Sequence, residues 1–212
     1  MDYELLRIIL SFCFLVPIVV LDIKQRMVPF VYFPVFAALA IALWFFNPLP
    51  LWQLVAIPLY FLVWRVGIFG GADAFSLAIL TAMTGSITIT GSEPIPFTLF
   101  LNSLLLSISM VILNLLRNLG HYRQSGNLFA GLSNLTVKDK IIACCLGYRD
   151  KNPKHGFLMQ VDGKLDFKMR HAEREPFTKE KDVWVFTTMP FLVFILGGLL
   201  VQLFYGDLIF HS

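Results

Sequence analysis

The chain has 212 residues, of which 57% are hydrophobic and only 15% are charged, and its formal net charge is +3 at pH 7. Together with a mean hydropathy of +0.73, this composition excludes an ordinary water-soluble domain. Apolar runs that could cross roughly 30 Å of hydrocarbon as helices recur along the chain. We therefore expect an all-α polytopic membrane protein in the cell membrane.

The apolar runs predict six transmembrane helices and one long polar segment. The first run lacks a basic leader and a small-residue cleavage site, so we expect it to be retained rather than removed as a signal peptide. Residues 1–116 would hold helices one to five, residues 117–183 a small cytoplasmic α+β insertion, and residues 184–212 the sixth helix and the C-terminus. The predicted spans are 5–21, 29–46, 51–69, 74–90, 96–116 and 184–205.

Basic residues are almost confined to one set of connections between these spans. Of the 17 Lys and Arg, 16 lie in segment 22–28, at the end of the third span or in segment 117–183, and only Arg7 lies opposite. By the positive-inside rule these connections face the cytoplasm, which places both termini outside. Segment 117–183 has 13 Lys and Arg against 8 Asp and Glu, a net charge of +5. That excess suits anionic lipid head groups better than nucleic acid, and a solvated charged loop is the alternative.

Segment 117–183 also contains local patterns of ordered structure. Thr136 and Asp139 fit a capping box that begins a short helix, and Gly147 would end that helix. Segments 157–161 and 165–169 flank an Asp-Gly pair, which predicts a β-hairpin. We therefore expect a small ordered subdomain rather than a linker.

Two carboxylates, Asp22 and Asp73, fall on the predicted cytoplasmic face. Asp22 closes the first apolar run, and Asp73 follows Gly70, Gly71 and Ala72 just before the fourth. Carboxylates near hydrocarbon usually face the protein interior and serve ions, protons or chemistry. Two carboxylates in contact cannot both ionise readily, so one would keep a proton while the other acts as a base. This pair predicts aspartyl proteolysis.

Each of these residues also has a purely structural interpretation. Asp22 could be a solvated helix-end carboxylate paired with Lys24 or Arg26, and Asp73 could be the N-cap of the fourth helix. Gly70 and Gly71 could form a flexible loop, or could allow positive φ and close approach of a substrate.

The segments around both aspartates resemble those of archaeal preflagellin and type IV prepilin peptidases. Asp22 to Pro29, with basic residues between them, is similar to the first signature of that family, and Gly70 to Asp73 is similar to its Gly-x-Gly-Asp motif. The long basic loop before a last helix that begins near Trp184 is also similar. The resemblance implies an aspartic endopeptidase that removes the short basic leader of archaellin or pilin-like precursors at the cytoplasmic face, with Asp22 and Asp73 as the catalytic residues.

The chain departs from that family at Ala72, where the motif has glycine. It also lacks the paired Cys-x-x-Cys motifs of bacterial members, because its cysteines are Cys13, Cys144 and Cys145. We therefore expect no cofactor, no zinc and no methyltransferase activity, and we expect the cysteines to act as small hydrophobic residues. The four histidines lie in polar segments without ligand spacing, which predicts surface residues: His121, His155, His171 and His211.

This interpretation has three alternatives. Intramembrane proteases of the presenilin and signal-peptide-peptidase kind share the Gly-x-Gly-Asp motif, but they have more spans and a Pro-Ala-Leu motif. In a proton-coupled transporter, Asp22 and Asp73 would bind and release protons, although both lie at one face and no acid lies near the midplane. A structural membrane subunit would leave the pair without a role.

Overall fold

The computed structural model describes residues 3–25, 27–66, 70–85, 87–89, 95–133, 135–153, 156–161, 163–167, 178–187 and 191–208. The chain forms two compact units, which we call the helical unit (Met1–Ser107 with Pro190–Ser212) and the mixed unit (Ile108–Met189). Most described residues are helical, and the two small sheets lie in the mixed unit.

The helices follow the chain as α1 (Tyr3–Gln25), α2 (Tyr32–Phe46), a 3-10 helix (Leu51–Val55), α3 (Ala56–Val66), α4 (Gly71–Thr84), α5 (Thr98–Ser107), α6 (Ser109–Ser125), α7 (Val137–Leu146) and α8 (Phe191–Tyr205). Among the described residues, two helical stretches are long and apolar enough to cross a membrane, namely Tyr3–Gln25 and Thr98–Ser125, which comprises α5 and α6. The other apolar helices are shorter. A mostly helical fold is thus confirmed, and the number of crossings stays a prediction.

Helix α4 lies at the centre of the helical unit. It contacts α1, α2, α3, α5 and α8, and its side chains Leu77 and Leu80 are fully buried. Small residues at Gly71, Ala74 and Ala78 let neighbouring helices approach its backbone closely. The other helices of this unit are therefore positioned against α4.

Helices α5 and α8 form a closely packed antiparallel pair. A Cβ on Gly198 would collide with the side chain of Ser103, so the two backbones approach each other at this point. The Thr98 hydroxyl at the start of α5 donates to Asp207, just beyond the end of α8, at 3.0 Å. Because the start of one helix meets the end of the other, the helices run in opposite directions.

Two predicted helix boundaries were wrong. Helix α4 ends at Thr84, with Gly85 as its C-cap, rather than near residue 90. Residues 184–186, assigned to the last helix, belong instead to strand β5 (Val183–Phe186), and α8 begins at Phe191. A short apolar run has no period that separates helix from strand. Pairing with two neighbouring strands decides the outcome here.

The mixed unit consists of α6, α7 and two antiparallel sheets. Helix α6 continues to Ser125, beyond the predicted end of the fifth span at 116. Strands β1 (Gly147–Asp150), β2 (Phe157–Leu158) and β5 form a sheet with β5 in the middle. The core of the unit contains Trp184, and Phe129 stacks on its ring with the centroids 5.1 Å apart. This part of the chain has the α+β character that the sequence predicted.

The predicted capping box of α7 is confirmed. Thr136 Oγ1 accepts a hydrogen bond from the Asp139 N–H at 3.2 Å, and Asp139 Oδ2 accepts one from the Thr136 N–H at 3.0 Å. The helix ends at Leu146, with Gly147 as its C-cap. Local sequence is sufficient to predict the capping box, because the residues that form it lie within a few positions of one another.

The predicted hairpin is present but shorter than expected. Strand β3 (Gln160–Val161) pairs with β4 (Lys164–Leu165), and Gly163 has a positive φ of 71° in the turn between them. Phe157 and Leu158 pair with β5 rather than with residues 165–169. Asp162 and residues 168–169 lie outside the described residues.

Candidate active site

Asp22 lies in the last turn of α1, on the face of that helix that packs into the helical unit. It follows Leu15 by seven residues and Ile18 by four, so the three side chains share one face. Leu15 and Ile18 are fully buried, whereas Asp22 is partly exposed. The carboxylate is therefore placed where the buried face of α1 reaches the end of the unit.

Asp73 lies in the first turn of α4, not in a loop before it. Its Oδ2 accepts a hydrogen bond from the backbone N–H of Gly70, the N-cap residue, at 3.0 Å. An acid at the third helical position satisfies one of the free N–H groups at the start of a helix. Asp73 therefore has a structural role at the start of α4, as the structural interpretation proposed, although it is not the N-cap itself. The hydrogen bond uses one carboxylate oxygen, Oδ2.

Neither Gly70 nor Gly71 has a positive φ. Gly70 has an extended backbone with φ −75°, and Gly71 is not among the described residues with positive φ. A Cβ on Gly71 would make an ordinary contact with the ring of Trp64 at 3.4 Å, and one on Gly70 would lie 3.3 Å from Asp73 Oδ2. Of the two interpretations of these glycines, positive φ is therefore not found, and a role in the approach of a substrate stays a prediction.

Ala72 occupies a helical position, which accounts for its departure from the family motif. It lies in the first turn of α4, where backbone angles suit every ordinary residue and alanine has the highest helix propensity. Gly71 and Ala72 thus belong to a helix, and only Gly70 precedes it. Nothing at position 72 of this chain requires glycine.

The fold brings Asp22 and Asp73 together. Helices α1 and α4 pack against each other, and they run in opposite directions, because Arg7 near the start of α1 contacts Met83 at the end of α4. Asp22 in the last turn of α1 and Asp73 in the first turn of α4 therefore lie at the same end of the two helices. Such a pair can hold one proton between two groups, which is the arrangement needed for concerted acid and base catalysis.

An aromatic cluster beside Asp73 was not foreseen from the sequence. The ring of Phe75 lies 5.5 Å from Phe33, 5.2 Å from Phe61 and 6.1 Å from Trp64, measured between centroids. Phe30 completes the cluster, with its centroid 6.0 Å from Phe75. These rings fasten the start of α4 to α2 and α3. The spacing of three residues between Phe30 and Phe33, and between Phe61 and Trp64, is the signal that sequence offered.

Arg7 lies toward the opposite end of α1 and is fully buried. Its guanidinium donates to the carbonyl oxygens of Met83 at 2.9 Å and Leu43 at 3.2 Å, and also to that of Asn47. Met83 and Leu43 lie in the last turns of α4 and α2, and Asn47 is the C-cap of α2, so the helix dipoles favour a cation at this place. Arg7 thus ties α1 to α4 at the end remote from the two aspartates.

The described residues contain no group of three His, Cys, Asp or Glu that could hold a metal ion. The prediction of a surface position was wrong for His121, which is only 8% exposed and lies 3.7 Å from Asp182. His155, His171 and His211 lie outside the described residues. Cys13, Cys144 and Cys145 are all free thiols, and Cys13 is exposed on α1.

Comparison of the sequence with family models gave no match, and comparison with curated proteins gave none either. Function must therefore be inferred from the residues and their geometry. In the part of the helical unit that the structure describes, Asp22 and Asp73 lie at the same end of the packed helices α1 and α4, and the aromatic cluster around Phe75 holds the start of α4. Two carboxylates that approach each other in such a place are able to share a proton.

Proposed function

We propose that this chain is a membrane-embedded aspartic endopeptidase, in which Asp22 and Asp73 cut the short basic leader from archaellin or type IV pilin-like precursors. The observation that carries the proposal is the antiparallel packing of α1 against α4, which puts Asp22, in the last turn of α1, and Asp73, in the first turn of α4, at the same end of the two helices. The substrate class comes from the resemblance of segments 22–29 and 70–73 to preflagellin and prepilin peptidases. We propose no cofactor and no metal.

A bilayer around the helical unit is supported by the side chains on its outside. Large apolar residues are strongly exposed, among them Phe45 at 80%, Phe46 at 73% and Leu51 at 67%. Exposure of these apolar side chains to water costs free energy, whereas their contact with the hydrocarbon of a bilayer does not. We propose six crossings in the cell membrane, with both termini outside.

A cytoplasmic position of the aspartates is supported by the charges near them. Lys24 lies in the last turn of α1 with Asp22, and Arg65 lies in the last turn of α3, just before the segment that leads to Asp73. Both basic side chains are exposed. Arg7, the only basic residue on the other side, is buried among backbone carbonyls and presents no charge to an outer surface. The positive-inside rule then places the aspartates at the cytoplasmic face.

The proposed chemistry uses the two carboxylates in opposite protonation states. The ionised member takes a proton from a water molecule as that water attacks the scissile carbonyl carbon. The protonated member donates a hydrogen bond to the carbonyl oxygen, which gains negative charge as the tetrahedral intermediate forms. The member that took the proton from water then gives that proton to the leaving amine as the peptide bond breaks. The two carboxylates thereby return to their starting protonation states. Because the two groups titrate as one coupled system, neither role is assigned to one residue.

The decisive experiment compares the wild type with Asp22→Asn and Asp73→Asn in membranes supplied with an archaellin precursor and, separately, a pilin precursor. General acid and base groups contribute about 10²- to 10⁴-fold each, so either substitution should reduce cleavage at least about 100-fold. Asp150→Asn in the mixed unit is the matched control and should keep the normal rate. Unchanged thermal unfolding of each variant would show that the loss is not a folding defect.

Two results would overturn this proposal. If either folded Asn variant trimmed the precursor at the wild-type rate, the carboxylate pair would not be catalytic. Mass spectrometry of the product locates the cut. A cut before the hydrophobic helix of the precursor is expected, whereas a cut inside that helix would indicate an intramembrane protease of the presenilin kind.

A further inference from the structure

Helix α7 buries Ala143 and exposes four apolar side chains elsewhere on its surface. Val137 is 73% exposed and Ile141 is 59% exposed, and they lie four residues apart on one face. Ile142 and Leu146 form a second exposed pair with the same spacing beside the first. In a polar part of the chain, four exposed aliphatic side chains on three turns of helix indicate a covered surface.

We propose that α7 is an interfacial helix, whose exposed face (Val137, Ile141, Ile142 and Leu146) lies in the boundary between lipid head groups and acyl chains. The proposal names one occupant, an anionic lipid surface. It rests on the membrane location included in the proposed function but not on proteolysis. An amphipathic helix that lies flat in this way buries its apolar face a few ångströms below the head groups.

The depth of α7 is fixed by hydrogen bonds to α6. Asn114 Nδ2 donates to the carbonyl oxygen of Cys145 at 2.9 Å, and Asn118 Nδ2 donates to that of Gly147 at 3.0 Å. Both asparagines are buried, so these contacts are part of the packing of the mixed unit. The C-terminal end of α7 is therefore held at one level of α6, between residues 114 and 118.

That level is the point at which the long apolar stretch becomes charged. From Thr98 to residue 116 the sequence contains no Asp, Glu, Lys or Arg, and Arg117 is the first. A spanning helix reaches the head groups where its charged residues begin. Because α7 is hydrogen-bonded to the turn of α6 that contains Arg117, it lies at the boundary between acyl chains and head groups. At that depth its apolar face contacts acyl chains and nearby basic side chains contact lipid phosphates.

Basic residues around α7 match the proposed lipid surface. Lys138 is exposed and lies between the two apolar pairs, and its long side chain can extend from an embedded backbone to the head groups. Lys140 is held over the ring of Phe129 at 5.7 Å, and Arg117 over that of Tyr148 at 4.6 Å. Each such cation near an anionic surface adds attraction that a neutral lipid would not supply.

The test places an environment-sensitive fluorophore at single cysteines in the full chain, reconstituted in vesicles that contain phosphatidylglycerol. Cys13, Cys144 and Cys145 are first replaced by alanine, and thermal unfolding confirms that this background is folded. Probes are attached at Ile141→Cys on α7 and at Lys164→Cys, an exposed position on β4. A third probe at Ile9→Cys, which is 49% exposed on α1, reports membrane insertion of the helical unit.

Lipids brominated near the head-group end of the acyl chain should quench the probe at residue 141 several-fold more than the probe at residue 164, and aqueous iodide should show the reverse order. If the probes at residues 141 and 164 were quenched equally while the probe at residue 9 was quenched by lipid, the α7 proposal would be wrong and the membrane location would stand. A probe at residue 141 shielded from both quenchers would overturn it too, because protein would then cover the face. If residue 9 were also not quenched by lipid, the membrane location itself would be wrong.

Discussion

Replacement of the buried Arg7 by methionine tests what holds α1 and α4 together. Methionine has a similar length but no hydrogen-bond donor, so it keeps most of the packing and removes the contacts to Met83, Leu43 and Asn47. Two of these contacts are good charge-assisted bonds, worth about 1.5 to 3 kcal/mol each. Release of the guanidinium from a buried site offsets part of that loss.

We take the net destabilisation of Arg7→Met to be about 3 kcal/mol. For a chain of this size, each kcal/mol lowers Tm by about 2 to 4 °C, so the expected decrease is about 6 to 12 °C. The measurement is thermal unfolding in detergent micelles, followed by the helical circular dichroism signal. Arg7 is about 22 Å along α1 from Asp22. Cleavage well below Tm should therefore persist in the folded variant.

The matched control is Arg65→Met, in the same unit but at an exposed position on α3. A cation in the last turn of an exposed helix contributes about 0.3 to 1 kcal/mol, so its Tm should fall by no more than about 4 °C. If Arg7→Met unfolded at the same temperature as Arg65→Met, the carbonyl contacts of Arg7 would contribute no net stability, and our account of how α1 is held would be wrong.

Three further experiments test contacts within the helical unit and within the mixed unit. Phe75→Ala removes the central ring of the aromatic cluster and should cost about 3 to 5 kcal/mol, seen as a lower Tm and weaker cleavage because the start of α4 loosens. Gly198→Val should lower Tm more than Gly197→Ala, because a Cβ at 198 meets the backbone of α5 as well as Ser103. Hydrogen bonds from Arg149 hold the pKa of Asp182 below its usual range. The stability that these bonds contribute is fully present at pH values above the ordinary carboxyl pKa. It is lost as the pH falls through the lowered pKa of Asp182 in the folded protein. Unfolding curves between pH 6 and pH 2 should show this loss in the wild type and not in Asp182→Asn.

Each of these predictions has a result that contradicts it. Phe204→Ala is the control for Phe75→Ala and should change Tm little, because Phe204 is 53% exposed on α8. If Phe75→Ala lowered Tm no more than Phe204→Ala does, the aromatic cluster would not stabilise the fold. Equal Tm for the two glycine variants would show that the α5–α8 contact tolerates side chains. A pH dependence that survives Asp182→Asn would assign the acid sensitivity to other carboxylates.

Local sequence was sufficient where the partners of a residue are near it in the chain. The box of Thr136 and Asp139 and the turn at Gly163 involve only neighbouring residues, and both were predicted correctly. The sequence also predicted that Asp22 and Asp73 lie at the same face of the bilayer, because the positive-inside rule assigns a side to each connection. The structure puts them at the same end of the packed helices α1 and α4, and their position at the cytoplasmic face and their catalytic role stay proposals.

Tertiary contacts account for what sequence did not show. Trp184 lies in a strand rather than a helix because β1 and β2 are available to pair with it, and neither partner is visible in a run of four apolar residues. The acceptors of Arg7 are backbone oxygens up to 76 residues away, which no residue type can signal. Asp73 caps α4 from the third helical position rather than as the N-cap, because the helix begins earlier than the apolar run does.

The antiparallel pairing of α5 with α8 makes the mixed unit a replaceable module. The chain leaves the helical unit at Ser107 and re-enters it at Pro190, and the end of α5 packs beside the start of α8, since Leu106 lies against Gly197. Two helix ends that already lie side by side can be joined by a short connection at little entropic cost. Asp22 and Asp73 both belong to the part that would remain. Exchange or shortening of the inserted segment would therefore leave Asp22, Asp73 and the helices that carry them in place.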